Sequence, residues 1–337
     1  MNKLILFASS KMSEGGLLVI KNLINSDHPM TIFLNHEYKN RFNAKEHKIY
    51  YVRSGFFNLI PNYLFYKKKI GNDATLLGIN NSLPIFFKRS IVKKIFLQNR
   101  LIIDNEYDGY LNFKEFLRII ILRLKFRFQL RFVDEVIVQT NAMKHQFRKR
   151  FNHHICHSYF FRLNLNDEIS YQKKSIDLLY VASGESHKNH KNLLEALKEL
   201  ACDNFFPRVC LTVSSQSHMH TYKLIMFYKK QYNLNIINYE KLPHKEVMQL
   251  YSKSKALIYP SFCESFGLPL LEASSLRVPI IAAKKDYVSE VVSPDETFDP
   301  TSSFSIKKAI QRFFKQGSEG ENTLSTSNFL ERINDEI

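Results

Sequence analysis

The stretch ALIYPSFCESFGLPLLEASS, residues 256–275, decides the fold. It opens with the apolar run 256–259, which predicts a buried strand, and it turns at Pro260. Gly267 permits a close backbone approach or a positive φ. Pro269 fits the first position of a helix, where its missing N–H group costs nothing. A buried strand that leads through a turn into a helix predicts part of a parallel βαβ unit, and ligands bind beyond the carboxyl ends of such strands.

Two glutamates, Glu264 and Glu272, lie on either side of this predicted helix start. The free N–H groups of a helix start suit a phosphate, and Glu272 lies about one turn inside the helix. A carboxylate accepts hydrogen bonds from two hydroxyl groups and donates none, although an acid in this position can also be a plain cap. We interpret the pair as flanking a site for two polyol groups joined by phosphate, such as a nucleotide sugar.

Short apolar runs alternate with amphipathic stretches along the rest of the 337 residues, which predicts βαβ units and parallel sheets. The predicted strands are 3–8, 31–34, 48–52, 95–98 and 135–139, then 176–182, 209–213, 235–238, 256–259 and 279–282. Helical patterns include 192–200 and 244–252. The alternation restarts after a polar stretch, 164–175, which reads as a linker. We therefore expect Rossmann-like domains at 1–165 and 175–315, with a tail or helix at 316–337 in a position to pack back on the first domain.

The chain has a net charge of +16, and the whole excess of positive charge lies in its first half. Residues 1–165 hold 27 Lys and Arg against 11 Asp and Glu, whereas residues 166–337 hold 21 of each. A one-sided basic field predicts an anionic partner for the first domain, although solubility alone is the simpler alternative. Because the sequence contains no nucleic-acid signature, we expect a lipid surface or an anionic acceptor and no nucleic acid.

The stretch FLRIIILRLKFRFQLRF, residues 116–132, mixes basic, apolar and aromatic residues. At about 100° per residue, one side of the helix carries arginines and the nearly opposite side carries Arg118 and Lys125. The arginines of the first side are Arg123, Arg127 and Arg131. A helix that lies on a membrane is expected to segregate its charge on one face. Two interpretations therefore stay open: a membrane-surface helix, and a largely buried helix whose basic side chains reach outward.

Four scattered cysteines with no C-x-x-C spacing predict reduced thiols and no metal site: Cys156, Cys202, Cys210 and Cys263. No apolar run approaches the roughly 18 residues of a membrane span, and the run LILFA near the N-terminus is too short for a secretory signal. We expect a cytoplasmic protein whose basic first domain makes peripheral contact with the anionic inner face of the cytoplasmic membrane.

Four segments together resemble glycosyltransferase family 4, the retaining E-x7-E transferases of GT-B fold that act in bacterial surface-polysaccharide synthesis. The segments are SIDLLYVASGESHKNHKNLLEALKEL (175–200), LPHKEVMQLYSKSKALIYPS (242–261), IYPSFCESFGLPLLEASSLRVPIIAA (258–283) and DYVSEVVSPDETFDPTSSFSIKKAI (286–310). The first half resembles the family weakly, through one strand, a Gly-Gly loop at Gly15 and Gly16, and VDEVIVQTNAMKHQF (133–147). The resemblance implies an α/β protein of GT-B fold with two Rossmann-like domains facing each other across a cleft.

The resemblance also implies roles for individual residues. Glu264 would contact the donor sugar, and Glu272 would hold the ribose. Lys188 takes the place of the family's phosphate-binding lysine, where a cation stabilises the charge that develops on the leaving nucleoside diphosphate. The backbone N–H groups that would contact sugar and diphosphate are those of Ser265, Phe266, Gly267 and Leu268.

The sequence departs from the family at two places. Ser183 stands where the family usually has an arginine, so either another base such as Lys191 compensates or the donor is held differently. Gln98 and Asn99 end a predicted strand of the acceptor domain where many members have a histidine, and amides can bond a sugar hydroxyl but cannot titrate. A retaining transferase can manage without that base, because the leaving phosphate can accept the proton of the acceptor.

No D-x-D motif occurs in the chain. We therefore expect no metal and no cofactor, with the nucleotide sugar as co-substrate. The leading hypothesis is a hexosyltransferase that acts on an anionic or lipid-linked glycan of O-antigen, lipopolysaccharide or capsule synthesis. A nucleotide-sugar epimerase of GT-B fold and a degenerate, non-catalytic sugar-nucleotide-binding protein are the alternatives.

Overall fold

A computed structural model describes residues 3–12, 14–26, 28–39, 41–42, 47–55, 58–70, 74–81, 83–84, 91–152, 154–159 and 173–321. The chain divides into two compact units. The first unit consists of Met1–Asp167 with Cys263–Leu268, and the second of Glu168–Phe262 with Pro269–Ile337. Residues 164–172 of the predicted linker and 322–337 of the predicted tail lie outside the described residues.

The first unit contains a parallel sheet of seven strands in the order β3-β2-β1-β4-β5-β6-β7. The strands are β1 Lys3–Ala8, β2 Thr31–Asn35, β3 Lys48–Val52, β4 Ala74–Gly78, β5 Val92–Phe96, β6 Glu135–Val138 and β7 Ile155–Ser158. The helices are α1 Glu14–Ile24, α2 Leu59–Lys69, α3 Phe113–Leu130 and α4 Asn141–Arg150. Because the strand order reverses beside β1, the sheet is doubly wound and its switch point lies between β1 and β4.

Strand β1 shows why this sheet is covered on both faces. Ile5 and Phe7 belong to one apolar cluster, and the alternate residues Leu6 and Ala8 belong to another. Successive side chains of a strand point to opposite faces, so a continuous apolar run is typical of a parallel sheet packed on both sides. On one face the ring of Phe7 stacks on Phe33 with centroids 5.0 Å apart.

The second unit contains a parallel sheet of six strands in the order β10-β9-β8-β11-β12-β13. The strands are β8 Ile176–Tyr180, β9 Val209–Leu211, β10 Ile236–Asn238, β11 Ser254–Tyr259, β12 Ile280–Ala283 and β13 Glu296–Phe298. The helices are α5 His190–Cys202, α6 Met219–Gln231, α7 His244–Ser252, α8 Leu268–Ser275, α9 Asp286–Val291 and α10 Ser303–Glu321. The switch point lies between β8 and β11, so the loops after these two strands form the expected place for a ligand.

All ten predicted strands are present within a few residues of their expected bounds, and three further strands, β4, β7 and β13, were not predicted. The prediction of a Gly-Gly loop is wrong, because Gly15 and Gly16 lie in the first turn of α1. The buried apolar residues Leu17, Val19 and Ile20 follow at once and pack this helix on the sheet.

Helix α3 begins with a capping box, in which Asn112 accepts a hydrogen bond from the backbone N–H of Glu115. Only Ile119, Phe126, Gln129 and Leu130 of its residues are buried. The interpretation of α3 as a largely buried helix is therefore wrong. Among the helices of the described ranges, none combines the length and the apolar character that crossing a bilayer requires.

Candidate active site

Two loops meet at the switch point of the second unit, where two hydrogen bonds join them and a third fixes the loop after β8 to its own strand. The hydroxyl of Tyr180, at the end of β8, donates to the carbonyl oxygen of Lys188 at 2.6 Å. The same hydroxyl lies 3.1 Å from Oγ of Ser261, which follows β11. The N–H of Phe262 donates to the carbonyl oxygen of His187 at 2.9 Å. The backbone of Lys188 is therefore fixed beside the strand end that leads toward Glu264.

Asn189 fixes the point at which α5 begins. Its φ is +61°, a left-handed conformation in which Asn is enriched among residues other than glycine. Its buried side chain donates to the carbonyl oxygens of Pro260, at 3.0 Å, and Pro300, at 2.7 Å. The sequence analysis missed this residue, although an Asn between a lysine and a helix start is a signal for a left-handed turn.

The loop after β8 also carries a half-buried carboxylate, Glu185, whose pKa the charge of Lys188 helps to lower. Burial alone would raise the pKa of Glu185, but the charge of Lys188, a hydrogen bond from Ser183, and His187 and His218 together lower that pKa to about 2. Ser183 donates this hydrogen bond through Oγ. The hydroxyl at the position of the family's arginine is thus bound to an anion of the same loop, while Lys191 is exposed on α5.

Glu272 is buried in α8 and both of its carboxylate oxygens have partners from α7. Nε2 of His244 lies 2.8 Å from Oε1, and the Tyr251 hydroxyl donates to Oε2 at 3.0 Å. Burial and the adjacent Glu272 charge raise the pKa of Tyr251. His244 and Tyr251 are seven residues apart, two turns of one helix face, and this spacing is the signal that could have found them.

A carboxylate held in this way keeps the capacity to bind a ligand. Each of its oxygens offers two lone pairs, and His244 and Tyr251 occupy one direction on each oxygen of Glu272. The remaining directions can accept hydrogen bonds from a pair of vicinal hydroxyl groups. The arrangement therefore orients Glu272 without using up its acceptors.

The segment Cys263–Leu268 is grouped with the first unit, so the two glutamates of the motif fall in different units. Glu264, Ser265 and Leu268 are partly exposed, whereas Phe266 is buried. Gly267 has a φ of +84°, the conformation for which the sequence predicted a glycine. Within the first unit, Oγ1 of Thr140 donates to the carbonyl oxygen of Ser265 at 3.4 Å.

Gln98 and Asn99 follow β5 in the first unit and are held by the turn after β4. Oδ1 of Asn81 accepts from the N–H groups of Gln98, at 2.6 Å, and Asn99, at 3.0 Å. Oε1 of Gln98 accepts from the N–H of Asn80 at 3.0 Å. The left-handed φ values of Asn80 and Asn81, 59° and 65°, make this turn possible. Both asparagines were missed, because β4 itself was not predicted.

Among the residues that the structure describes, no three His, Cys, Asp or Glu side chains are grouped so that they could hold a metal ion. The roles of Lys188, Glu264 and Glu272 in donor binding stay predictions, as does metal independence.

Two Rossmann-like units with parallel sheets are the architecture of the GT-B fold, and solved structures share it. Sucrose-phosphate synthase from Thermosynechococcus elongatus matches with a TM-score of 0.69 at 13% identity, over 94% of this chain and 90% of that one. The Anabaena protein Alr3699/HepE, in complex with UDP and glucose, matches with a TM-score of 0.68 at 14% identity, over 94% and 91%. The predicted GT-B fold class is confirmed.

Residues 163–327 match the family model described as "Glycosyl transferases group 1", and this part of the chain is a domain of that family. O-antigen chain mannosyltransferase B of Escherichia coli is 28% identical over 116 residues, which are 34% of this chain. The match spans 30% of the length of that relative. The domain family agrees with the resemblance found in the sequence.

Proposed function

We propose that this protein is a retaining, metal-independent hexosyltransferase. It moves a sugar from a nucleotide-sugar donor to a glycan acceptor that is anionic or lipid-linked, in O-antigen, lipopolysaccharide or capsule synthesis. The observation that carries the proposal is the paired support of Glu272 by His244 and Tyr251. A buried carboxylate that is oriented by two side chains and retains acceptor capacity suits the vicinal hydroxyl groups of a nucleotide ribose.

The other donor residues have separate tasks in this mechanism. Lys188, whose backbone is fixed by Tyr180, supplies positive charge to the diphosphate as the bond to the sugar breaks. The N-terminus of α8 offers backbone N–H groups to the same anion. Glu264 accepts hydrogen bonds from the transferred sugar and orients it.

The transfer itself breaks the bond between C1 of the sugar and the phosphate oxygen. A new bond forms between C1 and the acceptor oxygen on the same face, and the acceptor proton goes to the leaving phosphate. Gln98 and Asn99 can orient a hydroxyl group but cannot take up a proton. Because these amides cannot act as the base, we assign that role to the leaving phosphate.

The relatives suggest which donors to test first. The activity named for the Escherichia coli relative makes a nucleotide-activated mannose the first candidate. The UDP and glucose bound to the Anabaena protein make UDP-glucose the second. The basic first half of the chain favours an acceptor that carries phosphate or lies on an anionic lipid surface.

The proposal is tested by thermal denaturation with GDP and UDP, followed by transfer assays with the sugar nucleotide of the base that stabilises. A ligand of the native state must raise the melting temperature. Glu264→Gln should abolish turnover, and Glu272→Gln should weaken nucleotide binding about tenfold to a hundredfold, the value of hydrogen bonds to a charged group. Glu246→Gln is the matched control, because Glu246 is an exposed acid in the first turn of α7.

Each other outcome favours a different function. If no sugar nucleotide binds or is hydrolysed, the transferase proposal fails. Release of an epimerised sugar without an acceptor would identify an epimerase. Tight nucleotide binding with no turnover for any donor would identify a non-catalytic binding protein.

A further inference from the structure

Helix α3 exposes more large apolar side chains than any other helix of the described ranges. The exposed fractions of Phe113, Ile121 and Leu124 are 79%, 58% and 62%. Leu117 and Phe128 are about half exposed. We call these five side chains the α3 outer face. A contiguous apolar surface of this kind marks an interaction site more often than a single exposed leucine does.

The charged residues of α3 flank the outer face on both sides. At 100° per residue the five apolar side chains fall within a sector of about 80°. Lys114, Arg118 and Lys125 lie along one border of this sector and Arg127 lies along the other, and all four are exposed. The buried residues Ile119, Phe126 and Leu130 lie on the opposite side of the helix. The exposed half of α3 is therefore an apolar stripe between two basic borders.

Arg123 has a different task from the basic residues of the two borders. Its guanidinium donates to both carboxylate oxygens of Asp108, at 2.6 and 2.7 Å, and to the carbonyl oxygens of Leu101 and Asp104. This arginine fastens α3 to the segment before it. At 100° per residue Arg123 falls on the same side as Arg127, so Arg127 is the exposed basic residue of α3 on that border.

Helix α4 carries further basic residues near α3. The ring of Phe126 in α3 lies 5.9 Å from that of Phe151, the residue that follows α4, so the end of α4 lies beside α3. Arg148 and Lys149 are exposed at this end. The end of α4 therefore adds exposed positive charge to the surface around α3.

We propose that the α3 outer face docks the protein on an anionic lipid bilayer. A helix of 18 residues is about 27 Å long and can lie in the plane of the membrane, with its apolar stripe at the boundary between headgroups and acyl chains. The flanking Lys and Arg side chains then contact lipid phosphates.

The positive charge around the α3 outer face favours an anionic bilayer over other partners. A second copy of the chain would bring an equally basic surface into contact, and like charges oppose that association. A nucleic acid would neutralise the charge but leave the apolar stripe in water. An anionic bilayer neutralises the basic borders and also removes the apolar stripe from water. The inference goes beyond the proposed function, because lipid binding does not depend on sugar transfer.

The first test is co-sedimentation of the full chain with vesicles of phosphatidylglycerol and phosphatidylcholine, and with vesicles of phosphatidylcholine alone. The Lys114→Gln/Arg118→Gln/Lys125→Gln variant should lose about a hundredfold in affinity for the anionic vesicles, at about fivefold for each charge. A Leu117→Ser/Ile121→Ser/Leu124→Ser variant should lose at least tenfold, because it removes the inserted apolar surface. Because these side chains are exposed, both variants should keep the melting temperature of the parent protein.

Helix α6 offers the matched control, since it also carries exposed apolar and basic side chains. Met226→Ser/Phe227→Ser and Lys229→Gln/Lys230→Gln change exposed residues of the same types. Neither should alter vesicle binding by more than about twofold. An equal loss in the α6 variants, or no binding of the parent protein to anionic vesicles, overturns the proposal.

A second test uses the absence of tryptophan from the chain. Leu124→Trp places a single reporter on the outer face, and Phe227→Trp places one on α6. Anionic vesicles should shift the emission of Leu124→Trp to the blue, and brominated lipid should quench it, while Phe227→Trp stays unchanged. Equal quenching of both reporters overturns the proposal, as does a lipid-independent dimer that the serine variant of α3 abolishes. Stabilisation by GDP or UDP is measured separately, so failure here leaves the transferase proposal standing.

Discussion

Nε2 of His244 lies 2.8 Å from Oε1 of Glu272, and Tyr251 donates to the second oxygen of the same carboxylate. Glu272 is only 5% exposed, and a buried carboxylate without partners would carry a large desolvation cost. Helix α7 thus supplies a polar partner for each oxygen of this carboxylate in α8. The two contacts also fix the direction in which the carboxylate faces a ligand.

This relationship predicts that His244 acts on donor binding through Glu272. We expect His244→Ala to weaken nucleoside diphosphate binding about tenfold, because the carboxylate loses one orienting partner. Calorimetric titration with GDP and UDP measures the effect. His220→Ala, at an exposed histidine of α6, is the control. An unchanged affinity in His244→Ala would contradict the prediction, and a loss that His244→Gln restores would support a positioning role.

A side chain added at Gly184 should lower stability through steric overlap alone. A Cβ atom at Gly184 would lie 2.5 Å from Cβ of His218 and 3.0 Å from Cγ1 of Val213. Gly184→Ala should therefore displace the loop that carries Lys188 and lower the free energy of unfolding by about 1–3 kcal/mol, as overpacking does. Urea denaturation gives the value.

Gly109→Ala is the control for this steric prediction, because no atom lies within 4 Å of the added Cβ. It should change the stability by less than about 0.5 kcal/mol. Equal free energies of unfolding for Gly184→Ala and Gly109→Ala would contradict the prediction, because they would mean that the loop accommodates the added Cβ atom without loss of stability.

Much of the fold follows from local pattern, and what the sequence missed depends on contacts that are distant in the chain. The continuous apolar runs of β1 and β11 predict strands, because both faces of a parallel sheet are covered. Strands β7 and β13 read ICHS and ETF and carry no apolar run that a sequence pattern could detect. Gly267 was predicted from the turn chemistry that it alone permits.

In the candidate site, too, some residues follow from local sequence pattern and others depend on contacts that are distant in the chain. Glu272 was singled out by its spacing from Glu264, but its partners His244 and Tyr251 depend on how α7 packs against α8. The orientation of α3 also required the structure, because the sequence does not reveal that Ile119, Phe126 and Leu130 form its buried side.

His190 predicts a pH dependence of stability. Burial, and then the charge of Lys188, lower the pKa of this histidine from 6.5 to about 3. Between these two values the unfolded state binds a proton that the folded state does not, so stability falls as the pH falls below about 6.5. From pH 7.5 to pH 5 the loss from this residue should be about 2 kcal/mol.

His190→Phe should remove this part of the pH dependence, since its ring can replace the contact with Tyr180, whose centroid lies 4.9 Å from that of His190. Urea denaturation at pH 7.5 and pH 5 measures the difference. His145→Phe, at an exposed histidine of α4, should leave the slope of the parent protein unchanged. If the slope of His190→Phe equals that of the parent, His190 is not the group responsible.

Replacement of Ser183 by arginine should strengthen the binding of a nucleoside diphosphate. Its hydroxyl is bound to Glu185, whose pKa of about 2 keeps that carboxylate charged near the expected diphosphate. Ser183→Arg would supply a planar cation that both Glu185 and a phosphate can bind. We expect nucleoside diphosphate affinity to rise about three- to tenfold, with no change for the free nucleoside, because the added charge acts only on phosphate.

Calorimetric titrations at low and high salt test this prediction, since an electrostatic gain must shrink as ionic strength rises. Ser217→Arg adds the same charge at an exposed position before α6 and is the matched control. An equal gain for nucleoside and nucleoside diphosphate would contradict the assignment of this loop to phosphate binding. A gain that appears only in the Ser183→Arg/Glu185→Gln double variant would show that Glu185 neutralises the new arginine, and would identify that carboxylate as the group that limits donor affinity.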